Sequence, residues 1–76
     1  LKRYEEALPP LQTVVKEYKD YSAAYVLLGK TMEKLLRQDE AMEIYRDGIA
    51  VASKKGDLMP LKEMQQKLNQ LLHPIS

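Results

Sequence analysis

The sequence predicts an all-α domain, about four helices arranged as antiparallel hairpins. Apolar residues recur three or four apart along most of the chain, which is the period of an amphipathic helix. Strand-like alternation is absent over any useful length. Breaks are few and short, with Gly56 and His73-Pro74 the clearest, so each helix must fold back on the one before it.

With 76 residues the chain is one domain with a thin core. It has no cysteine, so it holds neither a disulfide framework nor a thiolate metal site. Charged residues make up 30% and apolar ones 45%, as expected of a folded helical domain. A net charge of +1 is far from the basic footprint of a nucleic-acid binder, so no nucleic acid is expected as partner. The longest apolar run, Ala23 to Leu28, is far short of the roughly 18 residues of a membrane span. No membrane partner is expected either. The opening Leu1-Lys2-Arg3 has neither an initiator methionine nor an apolar signal core behind it, so the chain reads as a piece of something longer. With no signal or spanning segment visible, the cytoplasm is the expected compartment.

The first helix is expected from about Lys2 to Lys19, with Ala7, Leu8, Leu11, Val14, Val15 and Tyr18 on one face. Pro9 and Pro10 lie inside it, and each removes an amide donor and crowds the carbonyl four residues back. A kink there, or a start near Leu8, is expected. Asp20-Tyr21-Ser22 is a break with two candidate N-caps, Asp20 and Ser22. The second helix follows from about Ser22 to Leu36, with Tyr25, Leu28, Met32 and Leu35/Leu36 inward. Arg37-Gln38 connects it to a third helix, about Asp39 to Lys54, whose buried stripe is Ala41, Met42, Tyr45, Ile49 and Ala52. Acidic residues open that helix, Lys54 and Lys55 close it, and Gly56 follows, the polarity the helix dipole favours. Asp57 is the expected N-cap of the fourth helix, and Pro60 is tolerated in its first turn. Leu58, Leu61, Met64, Leu68, Leu71 and Leu72 form its stripe, and His73 before Pro74 ends it.

The chain also repeats itself. Shifted by 34 residues, Tyr4-Glu5-Glu6-Ala7-Leu8 falls on Gln38-Asp39-Glu40-Ala41-Met42, Leu11 on Tyr45 and Val15 on Ile49. The first and third helices therefore occupy the same slot of a repeating unit. Tyr25-x-x-Leu28-Gly29-x-x-Met32, followed by Ala41-x-x-x-Tyr45, carries the spacing of one such unit. These residues resemble the tetratricopeptide repeat. Two positions depart from that pattern, Gly48 for the usual alanine and Ser53 for the closing proline.

The resemblance implies a right-handed superhelical stack in which Gly29 and Ala41 let paired helices approach and the tyrosines fill the space beside them. It divides the chain into the second helix of a partial repeat (1–21), a complete repeat (22–55) and a capping helix (57–73). The fourth helix is assigned as a cap because Leu28 and Gly29 fall on Lys62 and Glu63 under the same shift, which leaves no place for a closely packed partner. Gln65, Gln66, Lys67, Asn69 and Gln70 supply its polar face.

The resemblance further implies a protein-interaction scaffold whose concave groove is lined by the first helix of each pair. On the second helix Lys30, Lys34 and Arg37 share a face, with Ala23 and Val26 one to two turns earlier and Glu33 interrupting the charge. An acidic or C-terminal peptide is the expected partner. The asparagine with which one subclass grips a terminal carboxylate is missing from that face, so its specificity does not carry over. A second expectation is self-association through the first helix, if part of Ala7, Leu8, Leu11 and Val15 is exposed. A third is a regulatory segment of a larger protein.

No constellation for catalysis is visible, and no cofactor or metal is expected. Glu5/Glu6 and Asp39/Glu40 sit at equivalent helix starts, where acidic residues complement the dipole. His73, the only histidine, reads as a solvated or capping residue. The methionines Met32, Met42, Met59 and Met64 read as core filler.

Overall fold

The computed structural model describes residues 2–73. It contains α1 (Lys2–Glu17), α2 (Ser22–Lys34), α3 (Gln38–Lys55) and α4 (Leu58–Leu72), with no strand among the described residues. Each helix packs on the next, and α2 also meets α4, so α2, α3 and α4 form a closed triad with α1 laid against α2.

The core is centred on α2 and α3. Leu28, Met32, Ala41, Tyr45, Ala52 and Met64 are buried in it, and Leu8 reaches it from α1. Two glycines set the closest approaches. A Cβ on Gly29 would lie 2.6 Å from Cζ of Tyr45, inside a ring that is wholly buried. A Cβ on Gly48 would lie 2.6 Å from Cβ of Tyr25 and strike the thioether of Met64. Gly48, a departure from the repeat pattern, is thus the residue that admits α4. That contact is α4's own packing on α3. Counted from the helix starts, Leu61, Met64, Leu68 and Leu71 of α4 take the places of Tyr25, Leu28, Met32 and Leu35 in α2. Helix α3 runs past the place that matches the end of α1, so α4 starts later than the 34-residue shift gives even though the α3–α4 connection is the shorter one.

The two prolines neither delay nor interrupt α1, which begins at Lys2 and runs through both. Pro9 and Pro10 are exposed, as are Glu5 and Glu6, whose carbonyls lose their amide partners, so water can satisfy those carbonyls. The expected caps also differ. Neither Asp20 nor Ser22 caps α2, whose N-cap position is Tyr21 with no side-chain hydrogen bond. Instead the buried Ser22 hydroxyl donates to Asp57 Oδ2 at 2.8 Å. Asp57 occupies the N-cap position of α4, but its carboxylate faces Ser22 and Lys55 rather than the helix amides. Lys55 also donates to the Asp20 carbonyl. These contacts tie the α1–α2 turn to the α3–α4 turn.

Helices α2 and α3 end in the same way. The amides of Leu36 and Arg37 bond back to the carbonyls of Glu33 and Met32 at 3.0 and 2.8 Å. Those of Gly56 and Asp57 bond to Ser53 and Ala52 at 3.3 and 2.9 Å. Both are Schellman closures, which place one residue in the left-handed region. At the end of α3 it is Gly56 (φ 75°), at the end of α2 it is Leu36 (φ 61°). Leu36, expected to point inward, is 83% exposed.

Candidate interaction groove

Because successive helices reverse direction, α2 and α4 run the same way with one helix behind them. Their outer faces form the two walls of a shallow groove, whose halves differ in chemistry. Toward the helix N-termini is a hollow of about 330 Å³ whose rim is Ala23 and Leu27 from α2 and Met59 and Pro60 from α4. Leu27 is 53% and Met59 83% exposed, so Met59 is not the core filler its type suggests. Met32 and Met64 are buried as expected, and Met42 is half-buried. In mid-groove Lys30 of α2 pairs with Glu63 of α4 at 2.5 Å, both half-exposed. Beyond that pair lies a second hollow of about 340 Å³, bordered by Lys30, Glu33, Lys34 and Lys67.

The charge balance of the second hollow is decided by what its carboxylates already hold. Glu33 accepts a hydrogen bond from the neutral Tyr45 phenol and keeps its negative charge, and Glu63 is taken by Lys30. Burial, then the Glu33 carboxylate, pushes the Tyr45 phenol well above its ordinary range, so Tyr45 remains a neutral donor. Lys34 and Lys67 have no ion pair among the described residues, and this end of the groove is basic.

The residues singled out on α2 divide between these places. Ala23, Val26 and Lys30 border the apolar hollow, although Val26 is buried beneath it, and Lys30, Glu33 and Lys34 border the basic one. Arg37 lies apart. The helix ends at Lys34, so the i+7 register from Lys30 does not reach it. Its guanidinium forms a two-pronged pair with Glu40 at 2.6 and 2.7 Å, which holds the Glu40 carboxyl below the usual range.

Leu27, Met59, Pro60, Glu63 and Lys67 belong to the groove but were not picked out from the sequence. The signal for Leu27 was present: Ala23, Leu27, Lys30 and Lys34 follow i, i+4, i+7, i+11, a straighter stripe than one drawn through Val26. The residues of α4 carry no such signal, because only the register of α4 against α2 brings them to the groove.

The residues of the repeat signature meet in one place. Tyr25, Leu28, Gly29, Met32, Ala41 and Tyr45 are all buried at the α2–α3 contact. Burial, and then Asp47 and Asp20, raise the Tyr25 phenol, which donates to the Lys19 carbonyl at 3.1 Å. No family model and no curated protein matches the sequence. Solved structures do. The crystal structure of a tetratricopeptide repeat domain protein from Salinibacter ruber is 33% identical, with a TM-score of 0.86, over 92% of this chain and 78% of that one. The chain belongs to the tetratricopeptide-repeat family. A solution NMR structure of a tetratricopeptide repeat domain protein from the same organism superposes with a TM-score of 0.87 at 31% identity, over 97% of this chain and 74% of that one.

Proposed function

We propose that this tetratricopeptide segment is a non-catalytic protein-interaction module whose α2–α4 groove takes a peptide with an apolar anchor at one end and acidic residues at the other. The observation that carries this reading is the groove's polarity. Leu27 and Met59 are left in water at one end, and Lys34 and Lys67 lack carboxylate partners at the other. Exposed apolar side chains rimmed by polar ones mark interaction sites, and an unsheltered methionine adapts to varied anchors. Two lysines against the single carboxylate of Glu33 leave this end net positive, which favours acidic side chains and speeds encounter with them.

The test is titration of labelled peptides carrying one leucine or phenylalanine anchor followed by three or four acidic residues, with reversed and basic versions as controls. Binding is expected for the first peptide, with an affinity that falls as salt rises. Lys34→Glu with Lys67→Glu is expected to weaken it about tenfold or more, and Leu27→Asp to abolish anchoring. Equal binding of the reversed and basic peptides would refute the groove polarity. Binding unchanged in both variants would place the site elsewhere.

A further inference from the structure

The Lys30–Glu63 pair stands where a groove ligand has to pass. Lys30 borders both hollows, Glu63 only the apolar one. Among the described residues it is the one ion pair that joins α2 to α4. On α2, Leu27 lies three residues before Lys30 and Lys34 four after it. On α4, Pro60 and Lys67 hold the same places about Glu63. The two walls therefore share one register, and the pair crosses the groove between its apolar and its basic end. From Leu27 to Lys34, as from Pro60 to Lys67, the helix rises about 10 Å. About three residues of extended chain span that distance. A ligand that fills both hollows lies across the pair.

We infer, on the reading that this groove is the binding site, that Glu63 is a built-in competitor for the ligand's acidic group and so sets how much negative charge a ligand needs. In the free chain Glu63 holds Lys30, which leaves Lys34 and Lys67 as the lysines open to a ligand. Lys30 borders the basic hollow too, beside any carboxylate seated there. An acidic side chain in that hollow draws the Lys30 ammonium away from Glu63, and three lysines then face it instead of two. The other carboxylate at the hollow, Glu33, stays on the Tyr45 phenol. The exchange costs the fold little, because both partners are half-exposed and such pairs contribute little to stability. It costs the ligand more, because the released Glu63 carboxylate remains beside the groove and repels the arriving acid. One ligand carboxylate only replaces the one it displaces. A second, next to it, adds net attraction to Lys34 and Lys67. A neutral ligand leaves the pair closed.

The experiment is fluorescence anisotropy of the 76-residue chain with a labelled peptide of one leucine, two neutral residues and two glutamates, beside the same peptide with glutamines in place of the glutamates. Glu63→Gln is expected to bind the acidic peptide about three- to tenfold more tightly than wild type and the glutamine peptide no better. Glu43→Gln, on the exposed side of α3, changes the net charge equally and is expected to change neither affinity appreciably. In the double variant Lys30→Met with Glu63→Gln the gain is expected to vanish, because Lys30 is the group that Glu63→Gln releases. Acidic-peptide binding that Glu63→Gln weakens would make the pair a brace between the two walls and overturn the inference, as would binding left unchanged. So would a gain that Glu43→Gln reproduces, or one that survives loss of Lys30. In each of these cases wild type still binds and the groove reading stands. If neither wild type nor Glu63→Gln binds the acidic peptide, both fall together. Both substituted side chains are half-exposed, so thermal melts of the variants are expected to stay near that of wild type.

Discussion

Helices α1 and α3 match under the 34-residue shift of the sequence and meet different fates. Tyr45 of α3 is completely buried, filled in behind Gly29 and hydrogen-bonded to Glu33. Leu11, its counterpart in α1, is half-buried. Gly48 is pressed between Tyr25 and Met64, whereas Val14 at the matching place has room for its branched side chain. Ala52 is buried, and the matching Tyr18 lies in water. Position in a repeat therefore does not fix burial. The number of flanking helices does, and at two of these positions residue size follows: Gly48 and Ala52 where two neighbours converge, Val14 and Tyr18 where one does.

Substitutions at paired positions sharpen this contrast. The largest effect is expected at Tyr45. Tyr45→Ala removes a buried ring and its hydrogen bond and should cost about 3–5 kcal/mol in urea unfolding, whereas Leu11→Ala should cost less than half as much. Equal losses would mean that α1 is covered as fully as α3. Next comes Gly48→Ala. Alanine is favoured in a helix by roughly 0.5–1 kcal/mol, but the added carbon meets Cβ of Tyr25, which cannot swing away. A net loss of about 1–2 kcal/mol is expected, since overpacking of this kind costs about 1–3. Val14→Ala should cost no more than about 1 kcal/mol. If Gly48→Ala were stabilising, the closeness of α4 to α2 and α3 would be in error.

Smaller effects separate the two Schellman closures. Leu36 adopts a left-handed conformation that disfavours any side chain, and it gives up little packing when replaced. Leu36→Gly should therefore raise stability by about 0.5–1 kcal/mol, and Gly56→Ala should lower it by about 1. Thermal melts of the two variants should move in opposite directions.

The smallest effect concerns acid. The Ser22 hydrogen bond, and then Lys55, hold the Asp57 carboxyl below the usual range. A group depressed in the folded state contributes stability that is present above its unfolded pKa, near pH 4, and is lost as pH falls through the folded value. Melting temperature should fall below pH 4, and Ser22→Ala should shrink the part of that fall due to Asp57. The carboxylate is half-exposed, so solvent screening keeps the difference slight. An identical acid profile in Ser22→Ala would show that the tie between the two turns adds nothing.

Much of the fold was legible because it rests on local rules. The 3.6-residue period placed all four helices, the dipole-matched charges and Gly56 placed the end of α3, and the Leu28-Gly29…Ala41…Tyr45 spacing named the repeat. The late start allowed for at the prolines of α1 is not taken, because their cost depends on whether the abandoned carbonyls face water. The caps were misread because Ser22 and Asp57 satisfy each other across the molecule, at a separation no local rule reads. Of the groove, the α2 stripe could be drawn from spacing, though it took in Arg37, which lies beyond the helix end and binds Glu40.

The sequence by itself determined the helices, their reversal and the family, because hydrophobic period and close-packing glycines act between residues near in the chain or at fixed offsets. Only the tertiary structure decided which of those helices are covered, which lysines keep their charge free, and which apolar residues stay in water. Those properties depend on the register between helices. The register of α4 is set where Gly48 of α3 meets Met64 of α4, a contact that neither residue announces alone.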